Sequence, residues 1–222
     1  MIKKFQILSI LLLFSVIGKS QIIDKYGVNI GLIAANQSWD YKLNSQFSKY
    51  QDYRNGVSIF CEAEKELINV LSFRAELGYV QKGFHHDFLL PDSTSPQNSN
   101  VLLNVLAMDL GLKYSPFKSK VRVYSFAGLR SDYMFAFRDI IFIEQGSSQP
   151  LEVFQPILEM FNTFNLSALV GLGLDFKNTY YLELILNPAL SNRLNIDWIL
   201  IKDQSYSLKF GVYLNELIEV VQ

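Results

Sequence analysis

The chain has 222 residues, half of them hydrophobic, 14% aromatic and 18% charged, and its 20 basic and 21 acidic side chains leave a net charge of −1. That balance provides no basic surface for nucleic acid, and the length suits a single domain. The one cysteine, Cys61, rules out an internal disulfide.

The chain opens with Met1-Ile2-Lys3-Lys4, an apolar run from Ile7 to Ile17, and Gly18-Lys19-Ser20 before Gln21. A basic start, a short apolar core and a small-x-small site predict a secretory signal peptide over 1–20 and a barrel domain over 21–222. The apolar core is too short to cross a membrane as a helix.

Period-two alternation then recurs along the chain, the mark of strands. In the first strand Tyr26, Val28, Ile30 and Leu32 oppose Gly27, Asn29 and Gly31. A polar, aromatic-rich segment over 37–54 reads as a loop. The second strand, Gly56 to Glu64, sets Val57, Ile59, Cys61 and Ala63 against Ser58, Glu62 and Glu64. On its apolar face Cys61 reads as a small buried hydrophobe, not a nucleophile. The third, Leu71 to Gly83, sets Leu71, Phe73, Ala75, Leu77 and Tyr79 against Ser72, Arg74, Glu76, Gly78 and Lys82. Residues 84–100, with two prolines, carry loop chemistry. The fourth strand, Leu102 to Tyr114, and the fifth, Val121 to Phe135, flank a turn around Pro116. The segment 138–163 is the longest connection, in which 154–161 suits either a short helix or an extension of strand.

The sixth strand is the clearest. Over F-N-L-S-A-L-V-G-L-G-L-D-F, Phe164 to Phe176, the alternate apolar positions begin and end on Phe, and the other face holds Asn165, Ser167, Gly171, Gly173 and Asp175. Thirteen residues extend about 43 Å, and a tilt of about 45° projects them onto roughly 30 Å, a bilayer core. Lys177-Asn178 turns the chain into a seventh strand, Tyr180 to Ala189. The polar stretch 191–205 leads to the eighth, over Tyr206 to Leu214.

Eight strands thus alternate short connections (after the second, fourth and sixth) with long ones (after the first, third, fifth and seventh). Short periplasmic turns and long outer loops characterise outer-membrane barrels. The predicted fold is all-β: an eight-stranded antiparallel up-and-down transmembrane barrel. A lipocalin-like soluble barrel, binding an apolar ligand in the periplasm, would turn the apolar face inward. The polar face argues against that, because it is rich in glycine and carries Arg74, Glu76, Lys82, Asp109, Lys113, Arg122, Arg130, Asp132, Asp175, Glu183 and Lys209, nearly balanced in sign. Buried charges must be paired, so these residues predict a salt-bridged lumen.

Several of these stretches resemble small outer-membrane β-barrel proteins of Bacteroidetes, the group that includes PorT-like proteins. The resemblance lies in Tyr26-Gly27-Val28-Asn29-Ile30-Gly31-Leu32, Gly78-Tyr79-Val80-Gln81-Lys82-Gly83, Leu110-Gly111-Leu112-Lys113-Tyr114 and Tyr124-Ser125-Phe126-Ala127-Gly128-Leu129. The chain departs from it at Met108-Asp109-Leu110, where a proline is often found, and in a tail, 215–222, that does not end on an aromatic residue. The resemblance implies an outer-membrane location and, for PorT-like members, a part in protein secretion. It implies no catalytic residues.

An eight-stranded barrel is just wide enough to hold its own side chains, so a diffusion pore is not expected. His85, His86 and Asp87 are the one histidine cluster, read as a solvated loop mouth because no further metal ligand stands at recognisable spacing. Trp39, Tyr41, Phe47, Tyr50 and Tyr53 crowd the first outer loop, and Phe142, Phe154 and Phe161 the third. They suit either a partner-binding surface or packing at the membrane interface. The expected partners are outer-membrane lipid and, through the loops, secretion or envelope proteins. No cofactor, metal site or enzyme activity is expected, and a lipid-modifying barrel enzyme is the alternative.

Overall fold

A computed structural model describes residues 23–43, 49–88, 97–117, 119–142 and 155–215. The expected signal peptide, Phe47, Phe154 and the tail beyond residue 215 lie outside the described residues. Ten strand segments form one antiparallel sheet, and two of them, Lys49–Tyr50 and Leu194–Asn195, are two-residue pieces, which leaves eight long strands. These are β1 (Lys25–Tyr41), β2 (Asp52–Ile68), β3 (Leu71–Phe88), β4 (Gln97–Tyr114), β5 (Val121–Phe142), β6 (Phe164–Phe176), β7 (Tyr180–Pro188) and β8 (Ile199–Tyr213). Each pairs with its sequence neighbours, and β8 pairs with β1 from Gly27↔Tyr213 to Tyr41↔Ile199. That last ladder closes the sheet into an eight-stranded barrel with no barrel edge.

The faces follow the alternation. Outward side chains include Ile30, Leu32, Leu77, Leu172 and Leu184, all more than half exposed, whereas Arg74, Asp109, Asp175 and Lys209 inside are fully buried. Water would penalise that arrangement, and acyl chains favour it. Two aromatic girdles frame the apolar wall. Tyr26, Phe73, Tyr114, Phe176 and Tyr180 stand near the short turns; Tyr53, Tyr79, Tyr133, Phe164 and Tyr206 stand toward the long connections. Cys61 sits on this outer wall and is exposed, not buried as expected, because the apolar face it shares looks outward.

Several strands are longer than the sequence pattern suggests. β1 runs on to Tyr41, β8 begins at Ile199, and β3 and β4 pair from Leu71↔Tyr114 to Phe88↔Gln97, through much of the expected loop over 84–100. β5 has 22 residues, about 73 Å of extended chain, where roughly 40 Å crosses a bilayer core at a 45° tilt. β6 pairs with β5 only as far as Tyr133↔Phe164, so β3, β4 and the rest of β5 continue past the girdle as a projecting sheet. The undecided segment contains a five-residue helix, α1 (Gln155–Glu159).

Close packing explains the inward glycines. A Cβ on Gly173 would lie 2.3 Å from the Tyr124 ring, and one on Gly211 2.1 Å from the Tyr181 ring. Tyr124 and Tyr181 thus each cover a glycine of the neighbouring strand.

Candidate functional site

The lumen holds the densest chemistry in the molecule. Inward charges from strands distant in sequence converge because the closed sheet leaves them no water to face. Every charge predicted for the lumen lies on the inner face in an ion pair. Nearest the short turns, Lys113 Nζ lies 3.1 Å from Glu64 and 3.6 Å from Asp175, and Arg122 reaches Asp175 at 2.9 Å. Tyr213 donates its hydroxyl hydrogen to Glu64 at 2.8 Å and accepts from Lys113 at 2.9 Å.

At mid-height Arg74 grips Glu183 with both terminal nitrogens, at 2.5 and 2.9 Å, and Tyr124 donates to the same carboxylate at 2.7 Å. Lys209 bridges Glu76 at 2.5 Å and Asp109 at 3.4 Å, while Arg130 holds Asp109 through two 2.6 Å bonds. Aromatic faces complete the shell. The Arg74 guanidinium sits 4.2 Å from the Phe126 ring centroid and Lys209 Nζ 4.2 Å from that of Phe60.

Seven buried cations face eight buried carboxylates, and the partly exposed Arg122 makes the tally even. Pairing is nevertheless uneven. Among the described residues Glu62 is the buried carboxylate without an ion pair. It accepts from Asn29 at 3.5 Å and from the Tyr181 hydroxyl, and it stands directly across the ladder from Glu76.

Toward the long connections the lumen changes character, contrary to the expectation of ion pairs throughout. Ile33, Val80, Phe84, Val101, Leu103, Val105, Met134, Ile199 and Ile201 point inward and form an apolar cluster, roofed by Leu158 of α1 and by Phe161. One polar island is set in it. Arg193, from the connection before β8, enters the barrel and clasps Asp203 at 2.6 and 3.0 Å; Lys82 joins Asp203 at 3.0 Å and Asp132 at 2.6 Å. Gln37 donates to Asp203 at 2.8 Å and accepts from the Trp39 indole at 3.1 Å.

The first-loop aromatics are placed differently from the sequence expectation. Trp39 and Tyr41 belong to β1 and Tyr53 to β2, and Tyr50 stands on the short piece beside β1. Trp39 is only 2% exposed, because its strand continues and turns it inward against Phe84 and His86. Phe161 is likewise buried, as part of the roof. His86 Nδ1 faces the Gln51 amide oxygen, and among the described residues no three His, Cys, Asp or Glu side chains come together as metal ligands. Sequence reasoning left Glu62, Glu64, Lys25, Arg193 and Asp203 out of the charge network. The first two share the alternation that marked the others, whereas Arg193 carries no periodic signal.

No family model matches the chain, and no curated protein does. Among solved structures, it is similar to the outer-membrane protein OprG from Pseudomonas aeruginosa at 10% identity and a TM-score of 0.46, over 86% of this chain and 97% of that one. It is also similar to Ail, the attachment invasion locus protein of Yersinia pestis, at 9% identity and a TM-score of 0.39, over 84% and 97%. The outer-membrane enzyme PagL matches at 13% identity and a TM-score of 0.39, over 82% and 98%. The similarity is one of barrel architecture.

Proposed function

We propose that this chain is a non-enzymatic outer-membrane barrel that anchors an interaction surface for other envelope proteins, with a PorT-like part in protein secretion as its specific task. The observation that carries this reading is a combination of two features of one wall. Among the described residues, ion pairs and apolar side chains pack the lumen, while β3, β4 and β5 extend past the upper girdle as a projecting sheet. A filled, cross-braced barrel suits a rigid mount, and the projecting sheet offers backbone and side chains to a protein partner.

Photo-crosslinking in intact cells tests it. A crosslinker at Arg138 or Asn100, on the projecting sheet, is expected to capture a discrete envelope protein, and one at Lys120, in the turn before β5, is not. Crosslinks from both ends alike, or turnover of outer-membrane lipid by the purified barrel, would overturn the reading.

A further inference from the structure

The outer wall carries an indentation between β1, β2 and β8. Ala34 on β1 lies directly across from Tyr206 on β8 and Asn55 on β2, a single methyl between larger neighbours, and the β2–β3 register slips just beyond it, between Tyr53 and Ser58. The result is a groove of about 370 Å3, with Leu32, Leu184 and Leu208 along its membrane side and Asn55 and Tyr206 at its head. That volume lies in the range of small-molecule sites. Above the head, the Gln204 amide donates to the Tyr53 hydroxyl at 3.3 Å, and the Tyr53 and Tyr206 rings meet at 5.9 Å.

We propose that this groove binds one acyl chain of a membrane lipid, whose ester or amide linkage meets Asn55 at the upper girdle. The polarity along the groove carries the assignment: three leucines deep in the apolar wall, then an amide at girdle height. An acyl chain with its carbonyl linkage has the same order. A second copy of this chain fits less well, because leucine side chains rim the notch and keep a partner's backbone away, whereas close packing of protein in a membrane uses small residues on both surfaces. The inference rests on the barrel spanning a bilayer, and the experiment separates the two.

The full barrel is refolded into phosphatidylethanolamine vesicles containing phosphatidylglycerol, and insertion is scored by heat-modifiable gel mobility and protection from trypsin. It is then released into detergent and weighed intact by native mass spectrometry. Wild type is expected to retain one phospholipid. Ala34→Phe, which fills the notch, should lower that retention at least tenfold, and Asn55→Leu should lower it severalfold. Ala168→Phe, the same change at an outward alanine of β6, should leave retention unchanged. All four proteins should insert alike. Insertion without a retained lipid, equal retention by Ala34→Phe, or dimers that Ala34→Phe abolishes would overturn the proposal; failure of wild type to insert would instead overturn the membrane reading.

Discussion

Among the buried ions, the side-chain partners decide what each substitution costs. Arg74→Met strands Glu183 and weakens the hold on Glu76, both fully enclosed. Removing one partner of such a pair costs about 3–5 kcal/mol. Glu62→Gln keeps the shape and the Tyr181 contact while replacing a carboxyl that makes no ion pair among the described residues. It is expected to change stability by less than about 1 kcal/mol, in the stabilising direction. Urea titration of the refolded barrel, followed by gel mobility, measures both, and a Glu62→Gln cost as large as that of Arg74→Met would contradict the pairing described. Outside the membrane span, Lys65 and the Glu66 backbone amide hold the Asp24 carboxyl below its ordinary 3.8. A depressed carboxyl stabilises the fold above that value and ceases to do so as pH falls through the folded one. Because the pair is exposed, Asp24→Asn should remove only a slight loss of stability below pH 4.

The β6–β7 hairpin turns on two non-glycine residues with positive φ, Lys177 at 53° and Asn178 at 61°. Asparagine tolerates that region and lysine resists it. Changing the pair to Asn-Gly, the preferred dipeptide for such a turn, should stabilise the barrel by about 0.5–1 kcal/mol. Just after α1, truncation of Phe161 to alanine removes a buried ring from the apolar roof and is expected to cost about 3–5 kcal/mol. Thermal unfolding of the two variants against wild type checks the signs.

Element by element, the sequence marks the strands well where their two faces differ. Leu71–Tyr79 and Phe164–Phe176 alternate cleanly because lipid and ion pairs make opposite demands on neighbouring residues. Legibility fails where both faces are apolar. From Val101 to Met108 the inward Val101, Leu103, Val105 and Ala107 are as hydrophobic as the outward Leu102, Leu106 and Met108. A period of two cannot sort such a run. Strand ends were missed for a related reason. Beyond the girdle the outward side chains turn polar, as at Ser38 and Asp40 of β1, so the run of β1 to Tyr41 and of β3 to Phe88 reads as loop composition. Arg193 joined the lumen network only through the path of its connection, which no local pattern encodes.

For the molecule as a whole, a lumen packed with ion pairs and capped by an apolar roof should carry no steady current. Planar-bilayer recording of wild type is expected to show none, and a stable open channel would contradict the filled interior.

The partners in that interior are far apart along the chain: Arg74 and Glu183 are separated by 109 residues, Glu76 and Lys209 by 133. Until the first and last strands meet, Lys209 on β8 therefore stays apart from Glu76 and Asp109. A half-wound sheet entering the bilayer would bring bare arginines, lysines and glutamates into hydrocarbon, at several kcal/mol each. Winding must therefore finish before or during entry, so nascent chains should cross the membrane only as whole cylinders.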